Sequence, residues 1–184
     1  MQLVSPSLEY LSSYIAALKR GWSADNIRGK AAADEELAHI VDDNHAFLKR
    51  LVDRGATGEV TLPDGSKAKR IPGFRRWLWD GEFCGAISLR WQHGTETLPP
   101  HCLGHIGFAV VPWKQRLGYA TQALRDLLPE AAAVGLRYVE ITTDPDNVAS
   151  QLVIEANGGR LFEHFTKPPQ FGSKPGLRYR IALL

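Results

Sequence analysis

The stretch Leu103–Ala123, LGHIGFAVVPWKQRLGYATQA, decides how this chain is read. It begins as a buried strand, turns at Pro112, and passes through Gln115-Arg116-Leu117-Gly118-Tyr119-Ala120 into a helix. Consecutive backbone N–H groups at a helix N-terminus lack intrahelical acceptors and sit at the positive end of the helix dipole, so they suit an anionic ligand. Gly118 and Ala120 keep side-chain bulk away from that backbone, which lets a polyphosphate approach it closely. Taken alone, the stretch fits an ordinary strand-to-helix turn equally well.

The segments around it supply the context. Leu3-Val4 reads as a short strand, and Ser5-Pro6-Ser7 opens a helix carrying Leu8, Leu11, Ile15 and Leu18 at helical spacing until Gly21. Residues 22–33 read as a loop. A second helix is expected from an Asp34 N-cap, with Leu37, Ile40, Val41, Phe47, Leu48 and Leu51 on one face, closing at Gly55. Residues 57–73 read as a basic loop with a short hairpin at Asp64-Gly65, more in keeping with a solvated loop than a nucleic-acid patch. Phe74–Trp79 and Phe83–Trp91 flank Asp80-Gly81 as a clear hairpin.

Beyond the central stretch, the helix continues with Ala123, Leu124, Leu127, Leu128 and Ala131 on one face. Pro129 should strain it, and Gly135 should end it. Tyr138–Thr143 reads as a strand, Val148–Ala156 as a helix capped from the Asp144-Pro145-Asp146-Asn147 turn, and Leu161–Phe165 and Leu177–Leu184 as closing strands. The order predicts one α/β domain over residues 1–184, with a mixed sheet and helices on its faces. Residues 1–56 supply N-terminal helices, and residues 74–184 the sheet and ligand-binding core.

Composition narrows the function classes. With 44% hydrophobic and 23% charged residues the chain is an ordinary globular sequence, and a net charge of +2 gives no case for a nucleic-acid partner. It has neither an apolar run long enough to span a membrane nor a signal-peptide pattern, so a cytoplasmic location without membrane partners is expected. Cys84 and Cys102 lack metal-ligand spacing and read as free thiols, and no metal is expected. Neither G-x-x-x-x-G-K-[ST] nor G-x-G-x-x-G occurs, which argues against a nucleotide-binding protein of those types.

At this point the residues resemble the GCN5-related N-acetyltransferases (GNAT). Val110-Val111-Pro112 followed by Gln115-Arg116-Leu117-Gly118-Tyr119-Ala120 fits that family's Q/R-x-x-G-x-G/A acyl-CoA loop. Asn147-Val148-Ala149-Ser150 and Glu155-Ala156-Asn157-Gly158-Gly159 look like its Asn-bearing helix and terminal glycine, in register with the loop. The likeness covers residues 74–184 well. A V-x-P-S-x-x-Y start at Val4, Pro6, Ser7 and Tyr10, with the ISLR and HIGF segments, is similar to a subgroup of bacterial acetyltransferases.

The resemblance implies a largely antiparallel sheet with a central splay and acetyl-CoA as the acyl donor. Backbone amides from Arg116, Leu117, Gly118, Tyr119, Ala120 and Thr121 would cradle the pyrophosphate, with Gln115 and Arg116 flanking it. Pantetheine would lie between the 103–111 and 138–143 strands, pairing with Phe108 and Val110 and held by Asn147. An N–H near Phe108 or Ala109 would polarise the acetyl carbonyl. The chain departs from the family at two places: Gly104 stands about where many members carry a Glu, and Ile154 where a Tyr often protonates the leaving thiolate. His105 then becomes the candidate base and Ser150 the candidate aid to the thiolate, with His101 and Glu140 behind them.

The expected reaction is direct acetyl transfer to a primary amine on a small molecule, protein or peptide. The alternative is a non-catalytic acyl-CoA-binding regulator or scaffold. A homodimer through sheet edges or the last strand is compatible with either.

Overall fold

The computed structural model describes residues 1–62 and 64–183; Pro63, in the basic segment, and Leu184, the expected end of the last strand, lie outside the described residues. The chain begins with β1 (Gln2–Val4), α1 (Leu8–Lys19), α2 (Lys30–Asp42), α3 (Asn44–Arg50) and β2 (Val52–Asp53). The small hairpin β3 (Glu59–Thr61) and β4 (Lys67–Lys69) follows, then the long hairpin β5 (Gly73–Trp79) and β6 (Phe83–Arg90). The core continues with β7 (Ile106–Val110), α4 (Tyr119–Ala133), β8 (Tyr138–Thr143), α5 (Val148–Glu155), β9 (Arg160–Thr166) and β10 (Pro175–Ala182).

The strands form two antiparallel sheets in addition to the small hairpin. One runs β1-β5-β6-β7, with β2 also pairing β5; the other runs β8-β10-β9. The sheets meet at the foot of β7 and β8. There His105 N–H donates to Glu140 C=O at 2.7 Å, and His105 Nδ1 accepts from Glu140 N–H at 2.9 Å. No ladder joins the two strands beyond that point among the described residues, so they diverge and leave a splay between the sheets. Gly104 permits the seam: a Cβ there would lie 2.9 Å from Glu140 C=O.

Alternation along the strands gives the first sheet two apolar faces. Phe74, Leu78, Cys84, Ile87, Leu89 and Ile106 pack on the buried stripe of α4, Ala123, Leu124, Leu127 and Ala131. The opposite face carries Trp77 and Ala86 and receives α1, α2 and α3, through Leu11, Tyr14, Leu18, Ile40 and Phe47. Tyr14 stacks on Trp77 with ring centroids 4.5 Å apart and donates its hydroxyl to Glu36 of α2. Arg75 joins that pair at 3.3 Å from Glu36, fastening both N-terminal helices to β5.

Three local expectations change. The second helix starts at Lys30, within the segment read as loop, where Ala32 and Ala33 are buried without an obvious apolar stripe. It also ends at Asp43, whose extended backbone and side chain restart the chain as α3 by accepting from Ala46 N–H at 2.9 Å. Val41, expected on the apolar face, is consequently 86% exposed. By contrast, α4 runs through Pro129 to Ala133, and Gly135 at φ +93° follows its end, as expected.

Candidate active site

Two clefts open on the splay. The first is lined by Gln115, Arg116, Gly118, Tyr119, Ala120 and Thr121, together with Phe108, Val110 and the start of α5, and has a volume of about 440 Å³. At its floor the chain leaves the 3-10 turn Pro112–Lys114 and enters α4 through two left-handed residues, Arg116 at φ +62° and Gly118 at φ +77°. The first helical bond of α4 is Gln122 N–H to Gly118 C=O at 3.0 Å. The amides of Arg116, Leu117, Gly118, Tyr119, Ala120 and Thr121 therefore have no acceptor among the described residues and converge at the positive end of α4.

An anchor that the sequence reading missed holds this loop. Asp80, read only as half of a hairpin turn, accepts from Tyr119 Oη at 2.7 Å and pairs with Lys114 Nζ at 3.0 Å. Burial would raise its pKa, but the hydrogen bonds from Tyr119 and Lys114 hold it well below the usual carboxylate range. The β5–β6 turn is thus tied to both ends of the cradle. No local pattern signals it, because Asp80 lies 34 and 39 residues from its two partners.

The second cleft, of about 330 Å³, lies on the other side of the splay and faces the loop between α1 and α2, through Ala24, Asn26 and Ile27. Its floor is built of small residues, Ala86, Ser88, Gly104, Gly107 and Ala109, with Arg75, Arg90, His101 and the Lys167–Asp144 ion pair around it. Phe108, Asn147 and Ser150 line both clefts, so the two meet there.

Ladder parity decides which groups of β7 face the splay. Val111 N–H bonds to Cys84 C=O and Arg90 N–H to His105 C=O, so the His105 carbonyl and the N–H groups of residues 107, 109 and 111 are directed at β6, while His105 N–H goes to β8. Phe108 and Val110 then present N–H and C=O to the splay. Ala109, expected as an alternative oxyanion donor, spends its N–H on the ladder and offers only its methyl to the acceptor-side cleft.

Asn147 caps α5 by accepting from Ser150 N–H at 3.1 Å, which leaves its amide NH₂ and the Ser150 hydroxyl turned to the junction without partners among the described residues. His105 is placed differently. It is 0% exposed, lines neither cleft, and commits Nδ1 to the Glu140 N–H, so its remaining ring proton sits on Nε2. Burial holds its pKa below the ordinary imidazole value. A ring with no free lone pair cannot accept a proton from a substrate, so the expected base is a strut of the seam. Glu140 is likewise engaged: burial would raise its pKa, but hydrogen bonds from Arg180 at 2.7 Å and Arg178 at 2.9 Å keep it low.

Cys84 is fully buried, and burial pushes its thiol up to about 12, so it offers no thiolate for covalent transfer. No group of His, Cys, Asp and Glu able to hold a metal occurs among the described residues. No helix among them is long and apolar enough to cross a membrane.

The comparisons agree with this geometry. Residues 28–160 match the family described as "Acetyltransferase (GNAT) domain", which is more than half of the chain. Among solved structures, the microcin C7 self-immunity acetyltransferase MccE, in complex with acetyl-CoA and AMP, is similar in fold at TM-score 0.62 and 15% identity, covering 98% of this chain and 91% of that one. RimL, the ribosomal L7/L12 alpha-N-protein acetyltransferase, in complex with coenzyme A, is similar at TM-score 0.61 and 14% identity, covering 98% and 93%. A Vibrio cholerae protein described as a ribosomal-protein-serine acetyltransferase gives 0.60 and 14%, covering 98% and 92%. No curated protein matches the chain significantly. With the family matched over the cradle, the splay and the Asn-capped helix, the chain belongs to the GNAT acetyltransferases and is an acetyl-CoA-dependent enzyme of that family.

Proposed function

We propose that the chain moves an acetyl group from acetyl-CoA directly to a primary amine bound in the acceptor-side cleft. The observation that carries this reading is the junction at Phe108, Asn147 and Ser150, the residues common to both clefts. A thioester threaded through the splay from the cradle presents its carbonyl there, within reach of an amine entering from the other side. The pyrophosphate rests on the amides of Arg116–Thr121, Gln115 and Arg116 flank it, and the pantetheine amides pair with Phe108 and Val110 as an added strand would. Asn147 donates to the pantetheine from its free NH₂.

The Phe108 N–H is the group aimed at the developing oxyanion. The amine nitrogen attacks the carbonyl carbon, the C–S bond breaks, and the thiolate takes a proton from the Ser150 hydroxyl, which is resupplied by solvent. The proton lost by the amine leaves to water or to His101, the imidazole on the cleft wall. With His105 committed to the seam, the cleft itself supplies the path for that proton.

The test measures free-thiol release over polyamines, amino acids, aminoglycosides and peptide N-termini. Ser150→Ala should lower kcat by about tenfold or more while leaving acetyl-CoA affinity unchanged, as for loss of a proton donor used only in the transition state. An unchanged kcat in that variant removes Ser150 from the step. Tight acetyl-CoA binding with no thiol release on any amine of the panel removes the amine-acceptor reading.

A further inference from the structure

The acceptor-side cleft has a branch that acetyl transfer alone does not use. It is a cavity of about 250 Å³ sharing Arg75, Ser88, Arg90 and His101 with the main cleft and running on to Arg50 and Arg70. Four arginines and a histidine line it, and no carboxylate does. From behind, Asp53 lies 3.4 Å from Arg70, and Glu36 lies 3.3 Å from Arg75. Arg90 and Arg50 have no ion-pair partner among the described residues. Two guanidinium groups in one cavity are thus free of ion pairs, Arg90 beside the main cleft and Arg50 at the exposed end, where Glu35 is the nearest acidic influence; like charges held together cost energy unless something neutralises them.

Arg90 is also specifically placed. Its Nη2 lies 3.0 Å from where a Cβ on Gly107 would stand, so the guanidinium rests on the bare backbone of β7 beside the floor of the main cleft. Ladder pairing sets Ser88 opposite Gly107 and Arg75 opposite Ser88, which puts an arginine, a hydroxyl and a small floor across three adjacent strands. A guanidinium presents a planar fork of donors matched to the paired oxygens of an oxyanion.

We propose that this branch is an anion subsite, and that the acceptor amine carries a phosphate monoester, which Arg90 binds with Arg75 and Arg50. The charge favours phosphate over a single carboxylate: a phosphate monoester bears about −1.5 to −2 at neutral pH, which matches two guanidinium groups free of ion pairs. Its position on the acceptor side, away from the cradle amides, makes it part of acceptor recognition. The assignment of substrate class rests on the acyl-transfer reading; the existence of the subsite does not.

The experiment uses the full chain saturated with coenzyme A, so that the cradle amides are occupied, and titrates inorganic phosphate by calorimetry. Wild type should bind phosphate more tightly than malonate, with an affinity that falls as salt rises. Arg90→Gln should bind phosphate about tenfold more weakly, and Arg90→Lys should fall between, since it keeps the charge and loses the fork. Coenzyme A affinity should be the same in all three, which also reports that the variants are folded. In turnover, phosphate should compete with the acceptor amine and not with acetyl-CoA.

Equal phosphate affinity in wild type and Arg90→Gln overturns the subsite. Malonate binding as tightly as phosphate overturns the phosphate assignment, as does phosphate competing with acetyl-CoA. Loss of phosphate binding in Arg90→Gln without acetylation of any amine would remove the acyl-transfer reading and leave the subsite standing.

Discussion

Replacing Gly118 by alanine separates what the cradle contributes to folding from what it contributes to binding. Gly118 sits at φ +77°, ψ 2°, as the N-cap of α4, and a Cβ built there meets no protein atom within 4 Å. The methyl therefore clashes with nothing in the free protein, and the cost of the change is the left-handed backbone alone, about 1–2 kcal/mol for an L-residue. For a chain of this size that lowers Tm by about 2–8 °C. The strain is present with and without ligand, so it cancels from the binding equilibrium.

Any change in acetyl-CoA affinity must then come from the methyl standing over the amides of the cradle, in the cleft that Gly118 lines. A pyrophosphate held by those N–H groups has to move away from them, and losing one charge-assisted hydrogen bond, about 1.5–3 kcal/mol, weakens binding by at least about tenfold. Gly118→Val adds a β-branch at a positive φ and should abolish measurable binding while the fold survives. Calorimetry with acetyl-CoA and a thermal melt of the free protein read the two effects separately. An Ala variant that melts lower but binds acetyl-CoA as tightly as wild type would refute the assignment of the pyrophosphate to this loop.

The seam makes a prediction about pH. His105 has a folded pKa below its ordinary 6.5, so the unfolded chain binds the proton more readily. The stability it confers is complete above about pH 6.5 and is lost as the pH falls, at up to about 1.4 kcal/mol per unit until the folded pKa is passed. His105→Gln should flatten the fall in denaturation midpoint between about pH 6.5 and 5, and an unchanged slope would show that the ring does not titrate with unfolding. For Cys84, the buried thiol held up to about 12 predicts that Cys84→Ala keeps kcat within about twofold and that mass spectrometry finds no acetylated cysteine during turnover. An acetyl-cysteine intermediate at Cys84 would overturn direct transfer.

The parts legible in the sequence were those fixed by local chemistry. Asp80-Gly81 between apolar runs marked the long hairpin, and Asn147 ahead of Val148 marked the capped start of α5. The loop entering α4 was legible because a glycine and a helix start lie within a few residues. What stayed hidden depended on contacts between distant segments. The break at Asp43 was masked by apolar residues on both sides of it, since a cap outranks periodicity only when the side chain reaches the amide three residues on. Asp80 as an anchor, Arg90 as a cleft residue and His105 as a strut each depend on which strands lie side by side, which no local pattern contains.

The seam also accounts for the chain's departure from its family's pattern at residue 104. A glutamate in the place of Gly104 would need a Cβ 2.9 Å from the Glu140 carbonyl, and the only relief is to move β7 away from β8 at the point where His105 pins them. Such a shift would change the angle at which the two sheets diverge, and with it the width of the splay proposed to hold the pantetheine. The chain has the small residue and the close seam together, and neither is compatible with a carboxylate there. Under the proposed transfer to an amine, its deprotonation would fall to groups on the cleft wall, among which His101 stands beside the arginine-lined branch.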